Sequence, residues 1–208
     1  MAGAEGLEPP TPGFGDLCST NWAIPLQKFY YYFIIKIKNM CYNGNIMEGN
    51  KSKPRALLIF GAPCSGKTTF AEKFAKKFKI AYYDFDELAE EYGFSREDIL
   101  VVLEQILKTK QTIVFEGCLN TEKERIEFRN LIREKGYDPT LIWIQTDIMT
   151  IRSRLKSKFR SVSKAKEFYE AAVSEIEAPG ENEHAIILSG KHTFETQAKH
   201  VVAGLAKK

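Results

Sequence analysis

The chain has 208 residues, enough for one α/β domain with some excess, and its 44% apolar content can supply a full core. A net charge of +3 with scattered lysines leaves no nucleic-acid footprint by itself. The four cysteines (Cys18, Cys41, Cys64, Cys118) show neither metal-ligand spacing nor a disulfide-dense pattern, as expected of a chain in a reducing cytoplasm.

Residues 1–50 read differently from the rest. Pro9-Pro10, Pro12-Gly13 and Gly15 break any period in Met1–Pro25, and residues 27–45, dense in Lys, Asn, Tyr, Phe and Ile, show neither a helical stripe nor clean alternation. Phe29–Ile35 is far shorter than the ~20 apolar residues of a membrane span and runs into Lys36 and Lys38, so no membrane is expected as a partner. The stretch Gly3–Asp16 resembles a recurrent spurious translation of RNA-gene sequence upstream of bacterial reading frames. The expectation is a poorly structured extension over 1–50 with the natural start at Met47 or Met40. A genuine extension or membrane-surface anchor is the competing reading.

From residue 51 the chain alternates between strands and helices. The apolar strand at 55–60 delivers the chain to Gly61-Ala62-Pro63-Cys64-Ser65-Gly66-Lys67-Thr68-Thr69, which fits the phosphate-loop pattern G-x-x-x-x-G-K-S/T at every required position. Gly61 and Gly66 allow backbone angles and approaches that a side chain would block. The loop N–H groups form an anion cradle backed by the N-terminus of a helix over 66–78. Lys67 is expected to reach the β- and γ-phosphates, and the Thr68 hydroxyl to ligate Mg²⁺. Cys64 reads as a small residue that fits the loop.

A second strand, Ile80–Tyr83, leads to Asp84-Phe85-Asp86 and a short helix that stops at Gly93. Two carboxylates one residue apart can divide the work: Asp84 helps hold Mg²⁺ through water, and Asp86 orients or deprotonates an acceptor hydroxyl. The plain alternative is an N-cap followed by a solvated acid. Ser95 and Asp98 form a capping pair for a helix over 99–107. A third strand, Thr112–Phe115, ends in Glu116-Gly117-Cys118; Glu116 is either a second metal-proximal carboxylate or a strand-end charge, and Gly117 would let a substrate or the γ-phosphate approach. Asn120 is expected to cap a helix over 121–135 that ends at Gly136.

The fourth strand, Leu141–Ile144, precedes a helix over 147–158 and another over 163–176. Arginines and lysines cluster after this strand, and phosphoryl transfer needs positive charge over the moving group when the site closes. Arg154 and Arg160 are the candidates for such lid residues, against the bland reading of a solvated basic face, which Arg152 keeps. A turn at 179–182 leads to the fifth strand, Ala185–Leu188. Gly190 and Lys191 in the next turn are candidates for contacts along adenine and ribose, and Thr193 for an N-cap of the closing helix over 193–205. His184, His192 and His200 form no metal cluster. Strands alternating with helices imply a parallel sheet covered on both faces, with ligands at the carboxyl edge of the strands.

Gly61–Thr69, Asp84-x-Asp86, Ile151-Arg152-Ser153-Arg154-Leu155 and Ser189–Gln197 together resemble the small P-loop kinase-like proteins, over about residues 54–206. That group holds nucleoside-monophosphate, shikimate and gluconate kinases and polynucleotide-kinase-type and zeta-toxin-type enzymes; the likeness is greatest to its bacterial members labelled AAA-family ATPase or predicted kinase. The resemblance implies a three-layer α/β P-loop NTPase fold over 51–208, with a five-stranded parallel sheet in the order 2-3-1-4-5 and a small helical lid. It also implies ATP and Mg²⁺ at the loop, and an acceptor between the Asp86 turn and the lid. Two departures stand out. Strand 3 ends in Glu116 where an orthodox Walker B aspartate would stand, and the arginine-finger and oligomer signatures of mechanical AAA+ machines are missing. The expected activity is transfer of the ATP γ-phosphate to the hydroxyl of a small metabolite or nucleotide, a polynucleotide end being less favoured. The rivals are an ATP-binding NTPase or regulator without an acceptor, and an interaction protein whose loop is a relic.

Overall fold

A computed structural model describes residues 53–158 and 161–206. The expected N-terminal extension and Arg160 lie outside the described residues. The strands are β1 (Arg55–Phe60), β2 (Ala81–Asp84), β3 (Ile113–Glu116), β4 (Asp138–Gln145) and β5 (Ile186–Ser189). The helices are α1 (Lys67–Phe78), α2 (Phe85–Tyr92), α3 (Arg96–Leu107), α4 (Glu122–Glu134), α5 (Ile148–Lys158), α6 (Val162–Ser174) and α7 (Phe194–Ala206), with a 3₁₀ turn at Glu181–Glu183. The sheet is parallel throughout in the order β2-β3-β1-β4-β5, as the resemblance implies.

The central strand shows why the order works. β1 is buried on both faces from Ala56 to Phe60, so it needs a layer on each side. Leu57 and Ile59 point to one layer, where Phe70 and Phe74 of α1 meet Ala198 and Val201 of α7. The opposite face carries an aromatic cluster in which Phe115 of β3 meets Phe85 of α2 and Phe128 of α4, with ring centroids 5.1 and 5.8 Å apart. Local signals agree with these elements: Ser95–Asp98 and Thr121–Glu124 form capping boxes at the starts of α3 and α4.

Three boundaries differ from expectation. α3 begins at Arg96, directly after its Ser95 cap, three residues before the expected start. Thr121, not Asn120, caps α4; the Asn120 carbonyl instead accepts the Glu177 N–H at 2.9 Å. β4 starts three residues early, running through Pro139. Over Asp138–Leu141 the strand is paired to β1 alone, since β5 joins only from Ile142, so the N–H that proline lacks has no ladder to serve there.

Candidate active site

The expected site residues that the structure describes lie at or just beyond the carboxyl ends of β1, β2, β3 and β5, with Arg154 on α5. Gly61 leaves β1 at φ +144, and a Cβ there would lie 2.5 Å from the Ile144 carbonyl oxygen, so only glycine lets the loop turn this close to β4. The loop closes with Ser65 N–H donating to the Ala62 carbonyl at 3.1 Å. Gly66, in the left-handed region, opens α1 without a side-chain cap. The first-turn N–H groups of α1 therefore receive no side-chain cap and are left for an anion to use.

The loop carbonyls are held elsewhere. Arg154 Nη1 donates to the carbonyls of Cys64 (2.9 Å) and Ser65 (3.1 Å), and its Nη2 donates to that of Gly190 (3.2 Å). Thr146 Oγ1 also donates to the Ser65 carbonyl at 2.9 Å. Arg154 was expected as a lid residue over the transferred group. Its guanidinium braces the loop, tying the Cys64 and Ser65 carbonyls to that of Gly190 in the turn after β5. A cavity of about 530 Å³ is lined by Gly66, Lys67, Thr68, Lys73, Arg154 and Gly190, among others. Lys191 does not line it: its Nζ lies 3.0 Å from Asp147 Oδ2 beside the adjoining groove.

The carboxylates have different partners. Asp84 caps α2 through Oδ1, which accepts the Glu87 N–H at 2.9 Å. Asp84 and Glu116 stand at paired positions of β2 and β3. Glu116 is only 1% exposed, and its Oε2 has no hydrogen-bond partner among the described residues. Its Oε1 accepts the Tyr82 hydroxyl. Burial raises the Glu116 pKa, against hydrogen bonds from Tyr82 and Thr68 and the charge of Lys67. Burial and the two carboxylates push the Tyr82 phenol far above its ordinary range, so it stays a proton donor.

Asp86 sits apart from this pair. Gly117 has φ +95, and a Cβ on it would lie 2.4 Å from Asp86 N and 2.7 Å from Asp86 Oδ1. That space was expected to admit substrate; it admits Asp86. Cys118 N–H then donates to Oδ1 at 3.2 Å. The residue as a whole is exposed, but its carboxyl is sheltered from water, and this desolvation, with Asp84 and Glu90 nearby, raises its pKa against Lys67 and the Cys118 N–H. The Cys118 thiol is pushed up to about 11 by burial and by Asp86, so it is no nucleophile.

Among these groups Glu116 is buried, Asp84 half-buried and Thr68 exposed, and they are the residues that would hold a Mg²⁺ ion. An orphaned carboxylate oxygen on Glu116 stands with the Thr68 hydroxyl and Asp84, a hard-oxygen set that leaves room for phosphates and waters. Sequence reasoning missed Tyr82, Thr146 and Arg125. Tyr82 was visible as the i−2 neighbour of Asp84 on one face of β2. Arg125 was visible as a cation in the apolar stripe of α4 with Phe128 and Ile132.

A family model described as an AAA domain matches residues 57–179, more than half of the chain. The chain belongs to the AAA domain family. Its fold is that of the small P-loop kinase-like NTPases. No curated protein sequence matches it. Several solved structures share the fold of this AAA domain. A gluconokinase from Sinorhizobium meliloti 1021 has 14% identity and a TM-score of 0.56 over 76% of this chain and 94% of its own. The APS kinase CysC of Mycobacterium tuberculosis, in complex with AMPPNP and APS, has 20% identity and a TM-score of 0.56 over 74% and 98%. Kti12 of Chaetomium thermophilum, in complex with ADP-AlF3, has 13% identity and a TM-score of 0.57 over 73% and 97%.

Proposed function

We propose that this AAA domain is an ATP-dependent phosphotransferase that moves the γ-phosphate of ATP to the hydroxyl of a small molecule. One observation carries the reading. The site holds a second kind of carboxylate: Glu116 is buried beside Thr68, whereas Asp86, exposed as a residue, is anchored through Oδ1 on Cys118 within the field of Lys67. Hydrolysis alone does not require such a pair.

In this reading the loop N–H groups and Lys67 bind the β- and γ-phosphates. Arg154 and Thr146 keep the loop carbonyls turned away from them. Thr68, Glu116 and Asp84 would hold Mg²⁺, which when bound neutralises charge on the phosphates. Asp86 offers its unanchored oxygen to the acceptor hydroxyl, orients it in line with the γ-phosphate and takes its proton. The new bond runs from acceptor oxygen to γ-phosphorus, the β–γ bridge bond breaks, and ADP leaves with that electron pair. The gluconokinase and APS kinase that share the fold support a phosphate acceptor of metabolite size.

Incubation with γ-labelled ATP and Mg²⁺ against pooled metabolites and oligonucleotide 5′-ends tests the reading. Label is expected on a small hydroxylated compound. Label appearing only as inorganic phosphate identifies an NTPase instead.

A further inference from the structure

Tyr82 has one hydroxyl proton and two carboxylates to serve. Its oxygen hydrogen-bonds Glu116 Oε1 and lies 3.3 Å from Asp84 Oδ2. A phenol donates once, so it cannot satisfy both acceptors at a time. Asp84 Oδ1 is already taken by the cap of α2, and Glu116 Oε2 is buried with no partner. Two buried or half-buried carboxylates share a single proton, and the cluster is left with an excess of acceptors facing Thr68. Such an arrangement is costly without a cation and well matched to one.

The length of Glu116 adds to this. A glutamate has one more rotatable bond than an aspartate at the same strand end, hence more ways to swing its carboxylate away. The contact from Tyr82, two residues before Asp84 on the neighbouring strand, removes that freedom at Oε1.

Resting on the proposed nucleotide site, we infer that Tyr82 is a positioning residue for the divalent cation: its hydroxyl pins Glu116 Oε1 beside Asp84 Oδ2, leaving Glu116 Oε2 as the oxygen presented to the metal. It touches neither phosphate nor acceptor, and it acts through the carboxylates. Partners of this kind typically govern metal affinity by about 10–100-fold.

The test measures the affinity of AMPPNP by calorimetry with excess Mg²⁺ and again in EDTA. The ratio of the two dissociation constants is the coupling between metal and nucleotide. Tyr82→Phe, which removes one oxygen and keeps the ring, should lower that ratio by about tenfold or more while leaving the EDTA value unchanged. In a Glu116→Gln background, which removes the charge Tyr82 orients, the same substitution should change the ratio no further. An unchanged ratio in Tyr82→Phe overturns the inference alone. Equal effects in both backgrounds, or a loss confined to the EDTA value, show a merely structural role and overturn it too. Absence of AMPPNP binding by the wild type overturns the nucleotide site, and this inference with it.

Discussion

Replacing Arg125 by methionine should be the most damaging single change away from the nucleotide site. The guanidinium is fully buried. Its Nε and Nη2 donate to Glu183 Oε1 and Oε2 at 2.9 and 2.8 Å. Nη1 donates to the carbonyls of Leu119 (3.2 Å), Asn120 (3.0 Å) and Glu177 (3.0 Å), and Nη2 also to that of Ala178 (3.4 Å). Its plane lies over the Phe60 ring, 4.6 Å from the centroid. Removing one partner of a buried pair leaves the other charge uncompensated, a cost of about 3–5 kcal/mol. For a domain of this size that is a fall in Tm of roughly 6–20 °C. Arg125→Met with Glu183→Leu should recover part of the loss, because the orphaned charge is gone while several carbonyls still lack a donor; the residue of the loss should be about 1–3 kcal/mol. Urea unfolding followed by circular dichroism, with unchanged m-values, gives both numbers. A single-variant loss below about 1 kcal/mol, the range of an exposed pair, refutes the reasoning.

The same pair sets an acid limit. Burial alone would raise the Glu183 pKa, but Arg125 and the Gly180 N–H hold it below the ordinary carboxylate value. Its contribution is present above the unfolded pKa of about 4.3 and is lost as pH falls through the lower folded value. The stability gap between wild type and Arg125→Met should thus be widest near neutrality and shrink in acid; a gap independent of pH contradicts this. Gly117→Ala should cost about 1–3 kcal/mol, since its φ of +95 disfavours any side chain. By displacing Asp86 it should also slow transfer by about a hundredfold with the nucleotide Kd unchanged, as stopped assays and calorimetry will show. Arg154→Lys should weaken nucleotide binding by about tenfold, because an ammonium cannot serve the Cys64, Ser65 and Gly190 carbonyls together. An unchanged Kd would show the fork to be dispensable.

What the sequence discloses depends on how local the cause is. The loop Gly61–Thr69 is legible because its chemistry is set by neighbours in the chain, and the five strands are legible as short apolar runs between turns and helices. The start of β4 is not, since the tolerance of Pro139 depends on β5 joining only at Ile142, a fact of sheet order. Arg154 reads as a free lid cation because nothing nearby in sequence reveals the carbonyls it meets 36 and 90 residues away. Gly117 reads as an opening for substrate; only the close approach of α2 shows that Asp86 fills it. Tyr82 reads as an apolar strand residue until Glu116, on β3, is placed beside it. Which of Asp84 and Asp86 caps α2 was left open by the sequence, and the Glu87 N–H on Asp84 Oδ1 decides it.

Transfer by wild type and Asp86→Asn, compared at equal occupancy by ATP, tests the central claim most directly. Single turnovers with γ-labelled ATP should place label on an acceptor in the wild type. The variant should bind ATP with the same affinity and label nothing, because only the group that orients and deprotonates the hydroxyl has changed. Equal release of inorganic phosphate by both proteins, with no labelled acceptor, would contradict a phosphotransferase.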